Sequence, residues 1–350
     1  MADPGIQKQI LRAVLSLPCP VLRAASGGRA ILVGGRTLDP RLQFLMHAAR
    51  HYGSVEGMAE DKAREVRGHQ LALVAGKREP DVRVEELELP GGLQARMYRH
   101  PNQDPQLPVL VYAQTGAVGE FDESDAFCSM LARCGHAPVL SVPSRPSADR
   151  PFPACLDDVE AAYRYARAHA EGFGAPAGLA AVGGESIGGA FAAILCQDLK
   201  RLGEPQPALQ LLLYPWVDLS NESVLLSDYA EAALPAQEVE GWEAGRMLRP
   251  QDDPADPRIS PLQGPDLAGL APAIVVTAGF DPLLDQGEAY ARRLRDAGAH
   301  LVYRCYDHLV HGFAGFTGAV PAADIACREI AGLVREGLQG RIPAAAMVRA

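Results

Sequence analysis

The sequence predicts an α/β fold, a mostly parallel central sheet with helices on both faces. Three observations predict it. From Val109 onward, short apolar runs alternate with helical patterns, which marks a parallel sheet covered on both sides. A glycine-rich turn, Gly183-Gly184-Glu185-Ser186-Ile187-Gly188-Gly189, joins one apolar run directly to one helix. Ahead of these, residues 82–98 alternate apolar and polar around Pro90-Gly91-Gly92, the pattern of an antiparallel hairpin.

The elements follow in order. Ile6, Ile10, Val14 and Leu17 recur at helical spacing, with Pro18 and Pro20 ending the helix. This is preferred to a secretory leader, which Lys8, Arg12 and the apolar run 13–17 would otherwise suggest. Leu38-Asp39-Pro40 starts a second amphipathic helix and Glu56–Val74 reads as a third; residues 1–75 contain no convincing strand. Strands are expected at 109–113, 137–142, 178–182, 209–214, 273–277 and 301–305. Helices fit at about 123–135, 154–172, 188–203, 285–298 and 321–338. From Asp218 to about Pro254 the alternation stops, which reads as an inserted helical lid. The Pro- and Ala-rich tail after about 341 reads as frayed. The core is therefore expected in two parts, 76–217 and 256–340, separated by the insertion at 218–255.

Composition narrows the function classes. A chain of 350 residues, 48% hydrophobic, can bury one large α/β core. A formal net charge of -10 argues against nucleic acid and anionic membranes as partners. The seven cysteines (19, 128, 134, 155, 196, 305, 327) are scattered, without a Cys-x-x-Cys pair, and mostly lie in apolar stretches. That points to reduced thiols and a cytoplasmic location. No apolar run approaches the ~18 residues of a membrane span. The apolar face of the first helix could meet a membrane or a second protomer, and a helix covering the site explains it equally well.

Gly-x-Ser-x-Gly between strand and helix is the nucleophile elbow of an α/β-hydrolase. The glycines let the turn close tightly around Ser186, and the helix N-terminus behind it offers free N–H groups to developing negative charge. Serine needs a base, and the base an orienting acid, in the chain order Ser, Asp/Glu, His. Asp281 follows an apolar strand and is the natural acid; His311 follows the last strand and is the natural base. Asp285 and His308 are the neighbouring alternatives, the first read as a helix N-cap and the second as a loop histidine. The glycine pairs at 27–28, 34–35 and 91–92 lack a dinucleotide-binding arrangement, and the histidines form no ligand cluster, so neither cofactor nor metal is expected.

The chain resembles hormone-sensitive-lipase-like (family IV) esterases of the α/β-hydrolase superfamily. The resemblance runs from about Leu38 to Leu338. It is carried by Leu38-Asp39-Pro40, residues 150–157, the elbow, Tyr214-Pro215, residues 256–262, residues 278–291 and His311-Gly312-Phe313. It implies a Ser186–Asp281–His311 triad, hydrolysis of carboxylic esters with short to medium acyl chains, and a cap built from residues 1–75 and the insertion. Within that cap, Trp242, Leu225 and Tyr229 are candidates for substrate contact. A homodimer is compatible with the resemblance.

Two positions depart from the family pattern. Gln114-Thr115-Gly116-Ala117 stands where the family has His-Gly-Gly-Gly, so the oxyanion hole is expected from the backbone N–H groups of Gly116, Ala117 and Ile187. Glu185 and Ile187 replace the family's Asp and Ala, and the bulk of Ile187 predicts a restricted acyl site. The altered loop keeps one alternative from another class, a small-molecule binding protein or receptor on a hydrolase scaffold, although the complete triad favours an enzyme. An amidase or lactonase would use the same triad.

Overall fold

The computed structural model describes residues 4–51, 60–114, 124–143, 152–220 and 248–349. Helix α1 (Pro4–Leu15) ends before Leu17, and α2 (Cys19–Ala25) follows at once. Pro18 is the N-cap residue of α2 and Pro20 lies in its first turn, where a missing N–H costs nothing. The prolines thus start a helix as well as ending one. The buried residue of α1 is Leu15, with Leu11 partly packed, whereas Ile6 and Ile10 of the expected apolar stripe are exposed.

Residues 1–75 also contain strands, contrary to expectation. β1 (Leu32–Val33) and β2 (Arg36–Thr37) form a two-residue hairpin around Gly34-Gly35, both at positive φ. Helix α3 (Pro40–His51) begins at the expected place because the Asp39 carboxylate accepts the Arg41 N–H at 2.7 Å. Helix α4 (Glu60–Val74) completes the N-terminal region.

The core begins with the hairpin β3 (Arg83–Leu89) and β4 (Leu93–Arg99). The α/β alternation then runs through β5 (Val109–Gln114), α5 (Asp125–Gly135), β6 (Val139–Pro143), α6 (Ala154–Ala168), β7 (Ala180–Glu185), α7 (Ile187–Arg201) and β8 (Gln210–Leu213). It closes with β9 (Ala273–Phe280), α8 (Leu284–Asp296), β10 (Leu301–Val310), α9 (Pro321–Leu338) and β11 (Ala346–Arg349). β11 corrects the frayed tail: it pairs parallel to β10, from Val302 opposite Ala346 to Cys305 opposite Arg349. Its pairing comes from the open edge of β10, a long-range cause that local composition does not carry.

The nine-stranded sheet has the order β11-β10-β9-β8-β7-β5-β6-β4-β3. It is parallel from β11 to β6, and β4 joins β6 antiparallel. Both faces are apolar, and side chains alternate between them. Val109, Val111 and Ala113 of β5 face one core with α6, α7 and α8, while Leu110 and Tyr112 face the other with α5 and α9. Leu15, Leu38, Leu42, Met46 and Val74 of the N-terminal region join that second core. The chain leaves β5 toward β6, then returns past β5 to β7. Ligands bind at the carboxyl ends of strands at such a reversal.

The inserted segment leaves the core at Asp218, where the buried Gln286 side chain accepts the N–H groups of Val217 and Asp218 at 2.7 and 2.8 Å. Leu219 N–H donates to Ser260 Oγ at 2.7 Å, tying the exit to the return point. Residues 221–247, including Trp242, Leu225 and Tyr229, lie outside the described residues. No helix among the described residues is long and apolar enough to cross a membrane. All seven cysteines are free thiols.

Candidate active site

Ser186 sits between the last residue of β7 and the first of α7, with φ 52° and ψ −122°. A non-glycine residue in that region costs about 1–3 kcal/mol and persists only where its surroundings enforce it. They do so here. Ser186 N–H donates to Leu213 O at 2.9 Å, and its carbonyl accepts from Trp216 N–H at 3.1 Å and Ala190 N–H at 3.2 Å. The flanking glycines are required by close approach. A Cβ on Gly184 would strike the Gly188 backbone, and one on Gly188 would strike the Ala113 carbonyl of β5.

Asp281 follows β9 directly and is wholly buried. Its Oδ1 accepts the Leu283 N–H at 2.8 Å, which fixes the carboxylate before α8 begins. His311 follows β10 directly. Its Nδ1 lies 3.0 Å from Asp281 Oδ2, and its Nε2 lies 3.1 Å from Ser186 Oγ. An ionised carboxylate can only accept, so Nδ1 carries the proton and Nε2 is left to accept from the serine hydroxyl. The arrangement can take a proton from Ser186 and hold the resulting imidazolium beside a buried carboxylate.

The neighbouring alternatives fall elsewhere. Asp285 is exposed in the first turn of α8, with Leu283 as the N-cap residue, so it is not the cap. The Asp281 carboxylate serves that turn instead. His308 lies on β10 and not in a loop, because β10 continues past a register shift to Val310. Of the residues expected to bind the oxyanion, Ile187 opens α7, where the first N–H groups have no intrahelical acceptor. Gly116 and Ala117 lie outside the described residues. The Ile187 side chain is 1% exposed and belongs to the core shared with α6 and α7. No group of three or more His, Cys, Asp or Glu that could hold a metal occurs among the described residues.

Two residues without an assigned role meet this site. Tyr214, after β8, packs its ring edge-to-face on the His311 imidazole at a centroid distance of 4.9 Å. Glu185 accepts from the Tyr214 hydroxyl at 2.7 Å and from Ser124 Oγ at 2.8 Å. The sequence signals were the Tyr214-Pro215 pair after an apolar run and the acid inside the elbow.

A strand–serine–helix elbow, a buried acid and a histidine at the carboxyl ends of β7, β9 and β10 of one parallel sheet define the protein class as an α/β-hydrolase. Comparison with known proteins agrees. Residues 111–315 match a family model described as the alpha/beta hydrolase fold. Carboxylic ester hydrolase LipN of Mycobacterium tuberculosis is 39% identical over 311 residues, covering 85% of this chain and 82% of that protein. Ethyl acetate hydrolase of Pseudomonas putida is 34% identical, covering 80% of this chain and 92% of that protein. Among solved structures, an ester hydrolase from the metagenome of Lake Arreo superposes with a TM-score of 0.79 at 33% identity, covering 86% of this chain and 99% of the other. The chain belongs to the hormone-sensitive-lipase-like family of carboxylic ester hydrolases.

Proposed function

We propose that this chain hydrolyses carboxylic esters of short to medium acyl chain through an acyl-enzyme, with Ser186 as nucleophile, His311 as base and Asp281 as its orienting acid. The observation that carries the reading is the hydrogen-bonded run from Asp281 through His311 to Ser186 Oγ. Ser186 Oγ attacks the ester carbonyl as Nε2 of His311 takes its proton. Asp281 holds the imidazole tautomer and stabilises the imidazolium. Backbone N–H groups of Ile187, Gly116 and Ala117 receive the oxyanion. The alcohol leaves with the proton from His311, and water then releases the acid by the reverse sequence. No step requires a cofactor or metal.

The name of the ethyl acetate hydrolase relative supports a short acyl group. The N-terminal helices and the insertion at 218–255 would form a cap over the site, with Trp242, Leu225 and Tyr229 toward substrate. The free thiols support a cytoplasmic location, and a homodimer stays part of this reading as the family resemblance suggests. The test is hydrolysis of p-nitrophenyl acetate, butyrate, octanoate and laurate by the wild type and by Ser186→Ala. Turnover should fall with chain length, and the substitution should lower kcat by at least about 10³-fold. Laurate cleaved as fast as acetate would remove the restricted acyl site. Activity persisting in Ser186→Ala would remove the serine mechanism.

A further inference from the structure

The acid in the elbow has a placement that the hydrolytic scheme leaves unused. Glu185 ends β7, one residue before Ser186, and is half-buried. Its two carboxylate oxygens are divided between two partners. Oε1 accepts from Ser124 at the start of α5, and Oε2 accepts from the Tyr214 phenol. Tyr214 is itself held in an unusual way. Its φ is 33°, a left-handed conformation for a bulky non-glycine residue, and its N–H donates to Val276 O at 2.6 Å. That conformation presents the ring to His311 on one side and to Phe313 on the other, at centroid distances of 4.9 and 5.3 Å. A strained backbone thus sets a buried phenol against the imidazole, with a carboxylate behind the phenol.

We propose that Glu185 is a positioning residue for His311, acting through Tyr214. The carboxylate fixes the phenol by a charge-assisted hydrogen bond and makes the ring richer in electrons. A carboxylate held behind a polarised phenol that packs on the imidazole favours the imidazolium over the neutral form. This rests on the reading of Ser186 as nucleophile and His311 as base. The imidazolium forms during attack on the ester, so the arrangement acts on the step and not on substrate affinity.

The surroundings of the carboxylate are mostly hydroxyls and thiols. Among the described residues, Glu185 faces Ser124 and Cys128 from α5, Tyr112 from β5, Tyr214 after β8 and Cys327 from α9. Burial pushes both tyrosines and both thiols well above their ordinary pKa values, and the Glu185 charge adds to the rise in each. They stay neutral through the working range. Asp125 and Arg96 also act on Cys128, and Asp324 and Arg328 on Cys327, so each of those acids is matched there by an arginine.

The experiment compares Glu185→Gln, Glu185→Asp, Tyr214→Phe and the Glu185→Gln/Tyr214→Phe pair by the pH profile of kcat/KM on p-nitrophenyl acetate. A second readout is the pH dependence of labelling by a p-nitrophenyl phosphonate, in which Ser186 Oγ bonds to phosphorus, p-nitrophenolate leaves and His311 takes the serine proton. Glu185→Gln and Tyr214→Phe should each lower kcat about tenfold with KM nearly unchanged. Each should also move the acid-side midpoint to lower pH, since a less stabilised imidazolium loses its proton sooner. The double variant should be no worse than either single one, and Glu185→Asp should return the midpoint toward the wild type. An unmoved midpoint in Tyr214→Phe, or losses that multiply in the double variant, would overturn the proposal. Tyr214→Phe removes only a hydroxyl and leaves Glu185 in place, so it reports even where Glu185→Gln folds poorly. A wild type that neither cleaves ester nor takes the phosphonate would instead sink the serine reading itself.

Discussion

Ser186 and His311 meet at 3.1 Å, yet the molecule holds them in different ways. The serine is held by its own strand, its own helix and adjacent strands. Leu213 and Ala190 bond to its backbone, and Gly188 lies against Ala113 of the neighbouring strand. The histidine turn is held from far along the chain, on both flanks. Before it, Arg36 Nε donates to Asp307 Oδ1 at 3.0 Å and Asp39 N–H donates to His308 O at 3.0 Å. After it, Gly318 N–H donates to Val74 O at 3.0 Å, and Arg12 Nε donates to Gly318 O at 3.2 Å. The N-terminal region therefore braces the turn that carries His311. Ser186 has a rigid, strained seat. His311 is supported by a separate set of contacts from the N-terminal region.

The largest effect should come from breaking the serine side. Gly188→Ala sets a Cβ against a backbone carbonyl of the central sheet, where no side chain can yield. Overpacking of this kind costs about 3 kcal/mol. The expected outcome is a lower urea midpoint and no ester hydrolysis in whatever protein folds. Normal activity in Gly188→Ala would show that the elbow has slack, and the contrast between the two supports would fail.

Breaking the histidine side should cost less. Arg36→Ala removes one of four ties, and the Arg36 side chain is largely buried while Asp307 is half-exposed. A small misplacement of the imidazole should lower kcat about tenfold with KM unchanged. Thermal unfolding and steady-state kinetics of the same preparation would separate the two roles. A lowered Tm with unchanged kcat would mean that the N-terminal region stabilises the fold without positioning the base.

That contrast also sets what could be read from sequence. The elbow was legible because its causes are local: an apolar strand, flanking glycines and an apolar helix occupy some twenty consecutive positions. Asp281 and His311 could be singled out because each directly follows a strand in the expected chain order, and the structure brings both side chains together with Ser186. The braces were not legible, since nothing in Arg36 or Gly318 signals a partner some 270 residues away. The hairpin β1–β2 was missed because two residues per strand show no periodicity. β11 was missed because its strand character is conferred by the edge of β10 and not by its own Ala- and Pro-rich surroundings. The stripe on α1 shows a related limit. Helical period finds an apolar face, but the side that becomes buried depends on the partner, and here it is Leu11 and Leu15.

The smallest effect sharpens the comparison at the residue shared by backbone and pocket. Ile187 opens α7 directly after Ser186, while its side chain is buried in the core beside α6 and α7. Ile187→Val keeps the N–H, the β-branch and the helix start, and deletes one methyl group, at a stability cost of about 0.5–1.5 kcal/mol. If that methyl group bounds the acyl site, the ratio of kcat/KM for octanoate over acetate should rise about threefold, since a methylene in an apolar pocket changes transition-state binding by about 1 kcal/mol or more. The backbone N–H is untouched, so acetate turnover should hold. An unchanged ratio with a lowered Tm would assign the side chain to the core alone. Acyl length would then be limited by a surface other than the elbow, and the rigid seat of the nucleophile would set reactivity without setting specificity.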